Sequence, residues 1–362
     1  MVESSENLTN KKRKETAYVK CDNCGANLSF DPTTQELKCF HCGSFKSFEK
    51  SNAVSELFIE NAFIASEKVD SESSVYRCDN CGAVVVLSSH EVATFCPYCN
   101  TSHIVKSEDL SGLKPNAVYP YTIEKEVAVE KSKIWAKKRI FAPSSFKKSL
   151  NVDRVHGIYE PAFTFDSLTF STYEGRIGKR HTRTVGSGKN RRTETYIVWR
   201  RISGSFTREF DDLFINASGD YEQKTLDKIL PFDYSHIKTY SKEYLSGFMA
   251  KHNDKDIHTA WDEAKSEMDK ILRREILRQY DHDVVDYINV STVHEKVTYK
   301  YVLLPVYQLN FKYKKKNYSV FVNGETAKVT GKTPVSPIRV LIAIGIGLVL
   351  VGLLAYLFMQ YY

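Results

Sequence analysis

Eight cysteines, arranged as four C-x-x-C pairs that all precede residue 100, constrain this chain more than any other feature of its sequence. The pairs form two modules, and in each module fourteen residues separate the first pair from the second. The hexapeptide CDNCGA at residues 21–26 recurs letter for letter at residues 78–83, which indicates a duplicated unit. The cysteines are Cys21, Cys24, Cys39 and Cys42 in the first module and Cys78, Cys81, Cys96 and Cys99 in the second.

This spacing is typical of zinc ribbons, in which two C-x-x-C turns supply four thiolates to one metal ion. Each tetrahedron is complete without His41 or His103, so we expect two structural zinc ions and no open coordination position for chemistry. Iron in a rubredoxin-like site is a minor alternative. Ordinary or disulfide-bonded cysteines are another, but close pairs in a chain with no apolar N-terminal signal segment favour metal in a reducing compartment.

A second constraint is the run of twenty uncharged residues at 340–359, VLIAIGIGLVLVGLLAYLFM. As a helix it would span about 30 Å, the thickness of one bilayer core. A buried core helix is the alternative, but the run has no amphipathic face. Lys328, Lys332 and Arg339 precede it, so the positive-inside rule predicts a tail-anchored, single-pass protein of the cell membrane, with the bulk of the chain cytoplasmic and the C-terminus outside.

Small residues within this run bear on oligomerisation. Ala343 and Gly347 form a small-xxx-small pair, which would let two such helices pack closely in the membrane. The sequence therefore permits an oligomer through the transmembrane helix.

The pattern of the whole chain predicts an α+β protein: two N-terminal zinc ribbons, a mixed domain of antiparallel strands with helices, and one C-terminal transmembrane helix. The predicted divisions are a flexible basic tail at 1–16, zinc ribbon 1 at 17–50, a linker with a possible short helix at 51–74, zinc ribbon 2 at 75–106, a linker at 107–121, an α+β cytosolic domain at 122–332, and the transmembrane helix at 340–359.

Within the α+β domain, periodicity predicts a helix from the N-cap Thr122 to about residue 139 that buries Ile134, and a longer amphipathic helix at 256–280. Aromatic and β-branched runs predict strands at 158–165, 168–173, 196–206, 213–215, 284–297, 299–313, 318–322 and 327–330. Pro161 is expected at a strand start or a sheet edge. PAFTFD at 161–166 loosely echoes PVYQLN at 305–310, which hints at a second duplication.

The charge is divided unequally along the chain. Residues 1–112 carry a net charge of −5 and the remainder +12. Because each Cys₄ zinc site adds about −2, the ribbons would be strongly acidic, which argues against a nucleic-acid partner for them and favours protein partners. The basic stretch 176–201, together with Lys312 and residues 314–316, could instead contact anionic lipid headgroups; a solvated, mobile loop is the alternative for this stretch.

Sequence motifs of enzymes are missing from the chain. Residues 324–333 (GETAKVTGKT) have the wrong glycine spacing for a phosphate-binding loop, and no nucleophile or metal-hydrolase pattern occurs. We therefore expect no catalytic residues and no enzyme activity.

The two CDNCGA modules, GIYEPAFTFD at 157–166, LPVY at 304–307, VNG at 322–324 and VTGK at 329–332 before the final helix form a characteristic set. On these motifs nearly the whole chain resembles the bacterial membrane-anchored double zinc-ribbon proteins, also labelled TFIIB-type zinc-ribbon-containing proteins. The resemblance implies association with phage-shock-protein-A-like and flotillin-like (SPFH) proteins, and it brings no catalytic residues. In such strands an aromatic, often a Trp, follows the proline, whereas here Ala162 and Phe163 follow Pro161.

Two functional hypotheses follow. The first is a non-enzymatic membrane-anchored adaptor or scaffold whose cytosolic zinc ribbons recruit protein partners to the membrane, in an envelope-stress response. The alternative is a membrane-tethered zinc-ribbon factor that binds nucleic acid or acts in transcription. The acidic ribbons favour the first.

Overall fold

The computed structural model of the protein describes residues 19–65, 73–78, 84–88, 104–107, 113, 115–148, 155–219, 222–251, 253–313 and 316–361. The architecture is mixed α+β with mainly antiparallel pairing and one C-terminal apolar helix. The predicted basic tail 1–16 lies outside the described residues.

The strands are β1 Leu28–Asp31, β2 Glu36–Cys39, β3 Phe45–Lys46, β4 Leu57–Phe58, β5 Ser73–Cys78, β6 Val84–Ser88, β7 Ile104–Ser107, β8 Ala117–Val118, β9 Val155–Val185, β10 Arg192–Asn216, β11 Lys238–Thr239, β12 Met249–Ala250, β13 Val284–Tyr313, β14 Lys316–Asn323 and β15 Val329–Gly331. The helices are α1 Ile59–Ala65, α2 Lys125–Lys137, α3 Ser144–Lys148, α4 Gln223–Ile229, α5 Ile257–Arg278 and α6 Pro337–Tyr361. The first three strands form a small antiparallel sheet, and the others join one large sheet.

Three very long strands form the centre of the large sheet. β9 has 31 residues and pairs antiparallel with both β10 and β13. The sequence-based division into short strands at 158–165, 168–173, 196–206 and 213–215 is therefore wrong, because glycines that suggest turns instead serve close contacts within the sheet. A Cβ at Gly178 would lie 2.9 Å from the ring of Trp199, and one at Gly175 would lie 2.8 Å from Tyr287 O.

Two other predicted breaks correspond to β-bulges. The register shifts between Phe210 and Leu213 in β10 and between Glu295 and Thr298 in β13, where the sequence predicted an end near 298. Asp166 of β9 lies between them: its carboxylate accepts a hydrogen bond from the Asp212 backbone N–H at 2.6 Å and from Thr298 Oγ1 at 2.8 Å. One side chain thus stabilises both bulges.

Pro161 lies inside β9, not at the strand start or sheet edge that the sequence predicted. On one side of β9, Lys251 N donates to Tyr159 O and Ala217 N donates to Pro161 O. At this point the strand that pairs with β9 on that side changes from β12 to β10. Proline has no N–H group to donate. It is tolerated at position 161 because neither β12 nor β10 pairs with this residue on that side of β9.

The two halves of the domain are related by an approximate twofold arrangement. β8 precedes α2 and pairs parallel with β13, while β12 precedes α5 and pairs parallel with β9. The central β9–β13 register is symmetric about the pair Glu160 and Leu304. This topology supports the internal duplication suggested by the PAFTFD and PVYQLN segments.

The structure agrees with one of the two helix predictions more closely than with the other. α5 matches the predicted 256–280, and Asp256 caps it by accepting a hydrogen bond from Thr259 N at 2.9 Å. The N-cap of α2, however, is Glu124 and not Thr122, whose hydroxyl donates to Glu325 O. Ile134 is exposed because the buried face of α2 is formed by Ala128, Val129, Ser132 and Ala136.

The predicted linker at 107–121 is wrong in its C-terminal part. β8 pairs with both β11 and β13, and the side chains of Tyr119 and Tyr121 are fully buried. The hydroxyl of Tyr121 donates to Ile158 O and Val306 O, the backbone of β9 and β13. The domain core therefore begins before residue 122.

α6 extends from Pro337 to Tyr361 and includes the predicted span 340–359. It is long and apolar enough to cross a membrane, and its most apolar 18-residue stretch is not buried inside the rest of the described chain.

Candidate metal centre

Four cysteines of the first module converge at one end of the small sheet. Cys21 Sγ lies 3.5 Å from Cys42 Sγ, Cys24 Sγ lies 3.5 Å from Cys39 Sγ, and all four sulfur atoms lie within 4.8 Å of one another. A tetrahedron with Zn–S bonds of about 2.3 Å has sulfur atoms roughly 3.8 Å apart. The four free thiols are therefore at the right separation for one metal ion, and they are too far apart for disulfide bonds.

Two turns of the same geometry present these sulfur atoms. In the first, Gly25 N donates to Cys21 O, and in the second, Gly43 N donates to Cys39 O, each at 2.9 Å. Both glycines have positive φ, +72° and +77°, which glycine adopts without strain.

Hydrogen bonds to the sulfur atoms of Cys21 and Cys42 favour the thiolate forms that bind metal. At Cys24 the Ala26 backbone N–H also lowers the pKa, but burial and the neighbouring thiols outweigh it and raise the pKa to about 12. The backbone N–H groups of Cys24 and Asn23 lower the pKa of Cys21. Ser44 Oγ lies 2.9 Å from Cys42 Sγ, and this hydroxyl together with the Ser44 backbone N–H lowers the pKa of Cys42 to about 6. The donors are built into the turns, so the donor set suits a thiophilic ion such as zinc.

The first ribbon is packed against the α+β domain. Phe30 is buried against Phe48 and Tyr244, with the Phe30 and Tyr244 ring centroids 5.3 Å apart, and Phe30 N donates to Ser246 O. On another edge, Gln35 Nε2 donates to Tyr121 O at 2.7 Å. The ribbon is therefore held in a fixed orientation on the domain.

Aromatic side chains beside the second turn remain accessible. Phe40 is 74% exposed and Phe45 is 49% exposed, and the ammonium group of Lys38 lies over both rings. His41, next to the ligand Cys42, is also exposed. Phe40 and Phe45 form the apolar face of ribbon 1.

The second predicted site falls largely outside the described residues. This applies to Cys81, Cys96 and Cys99, and for Cys78 only the backbone at the end of β5 is described. The pairing of the residues that flank the first C-x-x-C segment is nevertheless the same in the two modules. Arg77 pairs with Val84 just as Lys20 pairs with Asn27, which in both cases joins the residue before the first cysteine to the residue six after that cysteine.

The carboxylates of Asp166, Asp211 and Asp212 also lie close enough together to hold a metal ion. The chain fills this position with its own cation, since Lys300 Nζ lies 2.8 Å from Asp212 Oδ1, 2.9 Å from Glu56 Oε1 and 3.7 Å from Asp166 Oδ2. Sequence patterns gave no indication of this cluster, because its members come from four distant segments. We interpret it as a structural ion network that supports the two bulges.

The two basic segments suggested for lipid contact do not lie together. Lys312 is near the start of β9, because Leu309 pairs with Val155, whereas Arg176 lies roughly 70 Å further along β9 at about 3.3 Å per residue. They therefore do not form a single surface.

Comparison with known proteins adds one relative. No family model and no solved structure matches the chain. The chain is similar to "Uncharacterized protein YdjG" of Bacillus subtilis (strain 168), with 28% identity over 234 residues, which cover 64% of this chain and 67% of that protein.

Proposed function

We propose that this protein is a non-enzymatic membrane-anchored adaptor, held in the cell membrane by α6 with its body in the cytoplasm, whose zinc ribbons recruit protein partners. The observation that carries the proposal is the position of the Cys₄ cluster: it stabilises a small sheet that is fixed to the domain yet exposes Phe40 and Phe45. Exposed aromatic side chains on a rigid support are typical of protein-binding surfaces.

The resemblance to membrane-anchored double zinc-ribbon proteins suggests which partners to test. These are phage-shock-protein-A-like and flotillin-like proteins, in a response to envelope stress. The acidic balance of residues 1–112 supports a protein partner with a basic surface.

Co-purification from detergent-solubilised membranes tests this proposal. Replacing Cys78 and Cys81 by Ser removes half of the ligands of the second ribbon, so we expect recruitment of these partners to be lost while the protein stays in the membrane fraction. In the first ribbon, Phe40→Ala with Phe45→Ala should weaken recruitment without loss of zinc. Phe58→Ala is the matched control, because Phe58 is 58% exposed but lies outside the ribbon.

Nucleic-acid binding is measured on the same variants. Salt-sensitive binding to the full-length protein that disappears in Cys78→Ser, Cys81→Ser would overturn the adaptor proposal in favour of a nucleic-acid-binding factor.

A further inference from the structure

The corner between α2 and α3 lies directly beside the start of α6. Arg339 Nη1 donates to Ile140 O at 3.1 Å and to Ala142 O at 2.6 Å, and Nη2 donates to Ser144 Oγ at 2.7 Å. Ser336 N also donates to Phe141 O at 2.8 Å. Four hydrogen bonds thus fix residues 140–144 to the first turn of the apolar helix.

Several large apolar side chains are exposed together at this corner. Ile140 is 67% exposed and Phe141 is 39% exposed, and Ile338 at the start of α6 is 69% exposed. The adjacent Ala142 and Phe146 are buried in the domain, so the corner is a folded support from which Ile140 and Phe141 project.

Basic side chains surround these apolar ones. Residues 131–148 contain seven Lys or Arg and no Asp or Glu. Lys137, Lys138 and Arg139 are exposed, and within the described parts of the chain they form no ion pair with a carboxylate. Exposed apolar residues flanked by unpaired cations are characteristic of segments that lie in the interface of an anionic bilayer.

The related half of the domain has no such corner. There the connection from α5 to β13 comprises only residues 279–283, with the acidic Asp281 and Asp283. The longer connection between helix and strand, from α2 to β9, therefore occurs only in the half of the domain that contacts α6.

We propose that the α2–α3 corner is a second membrane-contact element, in which Ile140 and Phe141 insert among anionic phospholipid headgroups while Lys137, Lys138 and Arg139 pair with the lipid phosphates. The corner and α6 then contact the membrane together, and the cytosolic domain has one fixed orientation to the bilayer. This inference rests on α6 spanning the membrane.

Photo-cross-linking of the full-length protein in phosphatidylglycerol-containing liposomes tests this inference. The probe p-benzoylphenylalanine replaces Phe141, and in separate variants it replaces Leu350 within α6 and Val293, a 59% exposed residue of β13. We expect lipid adducts at Phe141 and Leu350 and none at Val293.

A second measurement tests the role of charge. In the Phe141 probe protein, Lys137→Gln with Lys138→Gln should reduce the adduct yield by about fivefold for each cation removed. Lys265→Gln with Lys270→Gln on α5 is the matched control and should leave the yield unchanged. A larger reduction is expected when phosphatidylcholine replaces the anionic lipid, because Arg139 then also loses its attraction to a negatively charged surface.

The outcomes are distinguishable. Lipid adducts at Leu350 without any at Phe141, or adducts of the Phe141 probe with protein instead of lipid, would overturn the inference. An absence of lipid adducts at Leu350 would show instead that α6 does not span the bilayer, and the inference would fail with it.

Discussion

Lys300 is a buried cation whose removal should destabilise the domain severely. Its ammonium group faces Asp212, Glu56 and Asp166, and its side chain is only 6% exposed. Although burial lowers the pKa of Lys300, the hydrogen bonds to Asp212 and Glu56 outweigh this effect and the net pKa is raised. Lys300→Met leaves two largely buried carboxylates without a counter-ion, for which we expect a loss of about 3–5 kcal/mol in the free energy of unfolding.

Denaturant unfolding of the detergent-solubilised chain measures this change. Burial already raises the pKa of Asp166, so protonation should relieve part of the loss as the pH falls through that raised value. Lys332→Met is the control, since Lys332 and its partner Glu222 are exposed, and we expect a change within about 0.5 kcal/mol. An equal effect of the two substitutions would contradict the structural role of the ion network.

The cysteines give a stoichiometric prediction. Eight thiolates in two complete sites should bind two zinc ions per chain, and Cys39→Ser should reduce this to one because it removes a fully buried ligand of the first site. Metal analysis of the purified protein decides the matter. Ser47→Ala is the control, because Ser47 lies within ribbon 1 but its hydroxyl donates to Glu36 and not to a sulfur atom. A metal content near zero with oxidised cysteines would eliminate the zinc-ribbon interpretation.

At the level of elements, the side chain of Asp256 caps α5 and thereby stabilises the folded protein. Asp256 accepts from the backbone N–H of Thr259 at 2.9 Å and from its hydroxyl at 2.7 Å, and these hydrogen bonds lower its pKa. Asp256→Ala should therefore cost about 1 kcal/mol, whereas Asp256→Asn should cost less because an Asn side chain also caps helices.

The pH dependence of this cap has a definite sign. A carboxylate with a lowered pKa in the folded state contributes stability above its unfolded pKa of about 3.9, and that contribution is lost as the pH falls through the lower folded value. The difference between wild type and Asp256→Ala should thus be constant near neutral pH and shrink in acid. Thermal unfolding at several pH values measures it, and a difference that grows in acid would contradict the assignment.

The elements show where sequence reasoning succeeds. α5 was predictable because its cap and its apolar positions agree, whereas the length of β9 was not. Gly175 and Gly178 resemble turn residues until the backbone of Tyr287 and the ring of Trp199 are known to lie against them. Similarly, the bulge at Lys296, whose φ is +52°, resembles a strand end from sequence alone.

The candidate metal site was predictable for a different reason. Its ligands lie within two short turns, so local spacing encodes the geometry of Cys21, Cys24, Cys39 and Cys42. The packing of Phe30 on Tyr244 and the contacts of Arg339 with the α2–α3 corner join distant segments, and no local pattern encodes them. Phe30, for example, is only 2% exposed because it packs against Tyr244 of a distant segment.

At the scale of the whole molecule, the long strands separate α6 from the tip of the β9–β10 hairpin. β14 and β15, which lead into α6, pair near the start of β9, while the tip of the β9–β10 hairpin lies roughly 90 Å of strand path beyond Ile158. A membrane at α6 and a partner at the basic hairpin would therefore be contacted at separate sites.

Deleting residues 340–362 tests how the whole molecule is held at the membrane. The deletion retains Arg339 and its hydrogen bonds to the α2–α3 corner, so the domain should stay folded and pass to the soluble fraction. We expect the truncated protein to bind anionic vesicles only at low salt, because a basic interfacial corner without a spanning helix is screened within about 10 Å at 0.1 M ionic strength. Sedimentation with vesicles over a range of salt concentrations measures this binding.

An unrelated twenty-residue apolar helix in place of residues 340–359 is the control and should restore salt-resistant sedimentation, since anchoring depends on the length and apolarity of the span. Retention of the truncated protein on membranes at high salt would mean that a second strong anchor exists elsewhere in the chain, and would contradict the assignment of α6 as the main attachment.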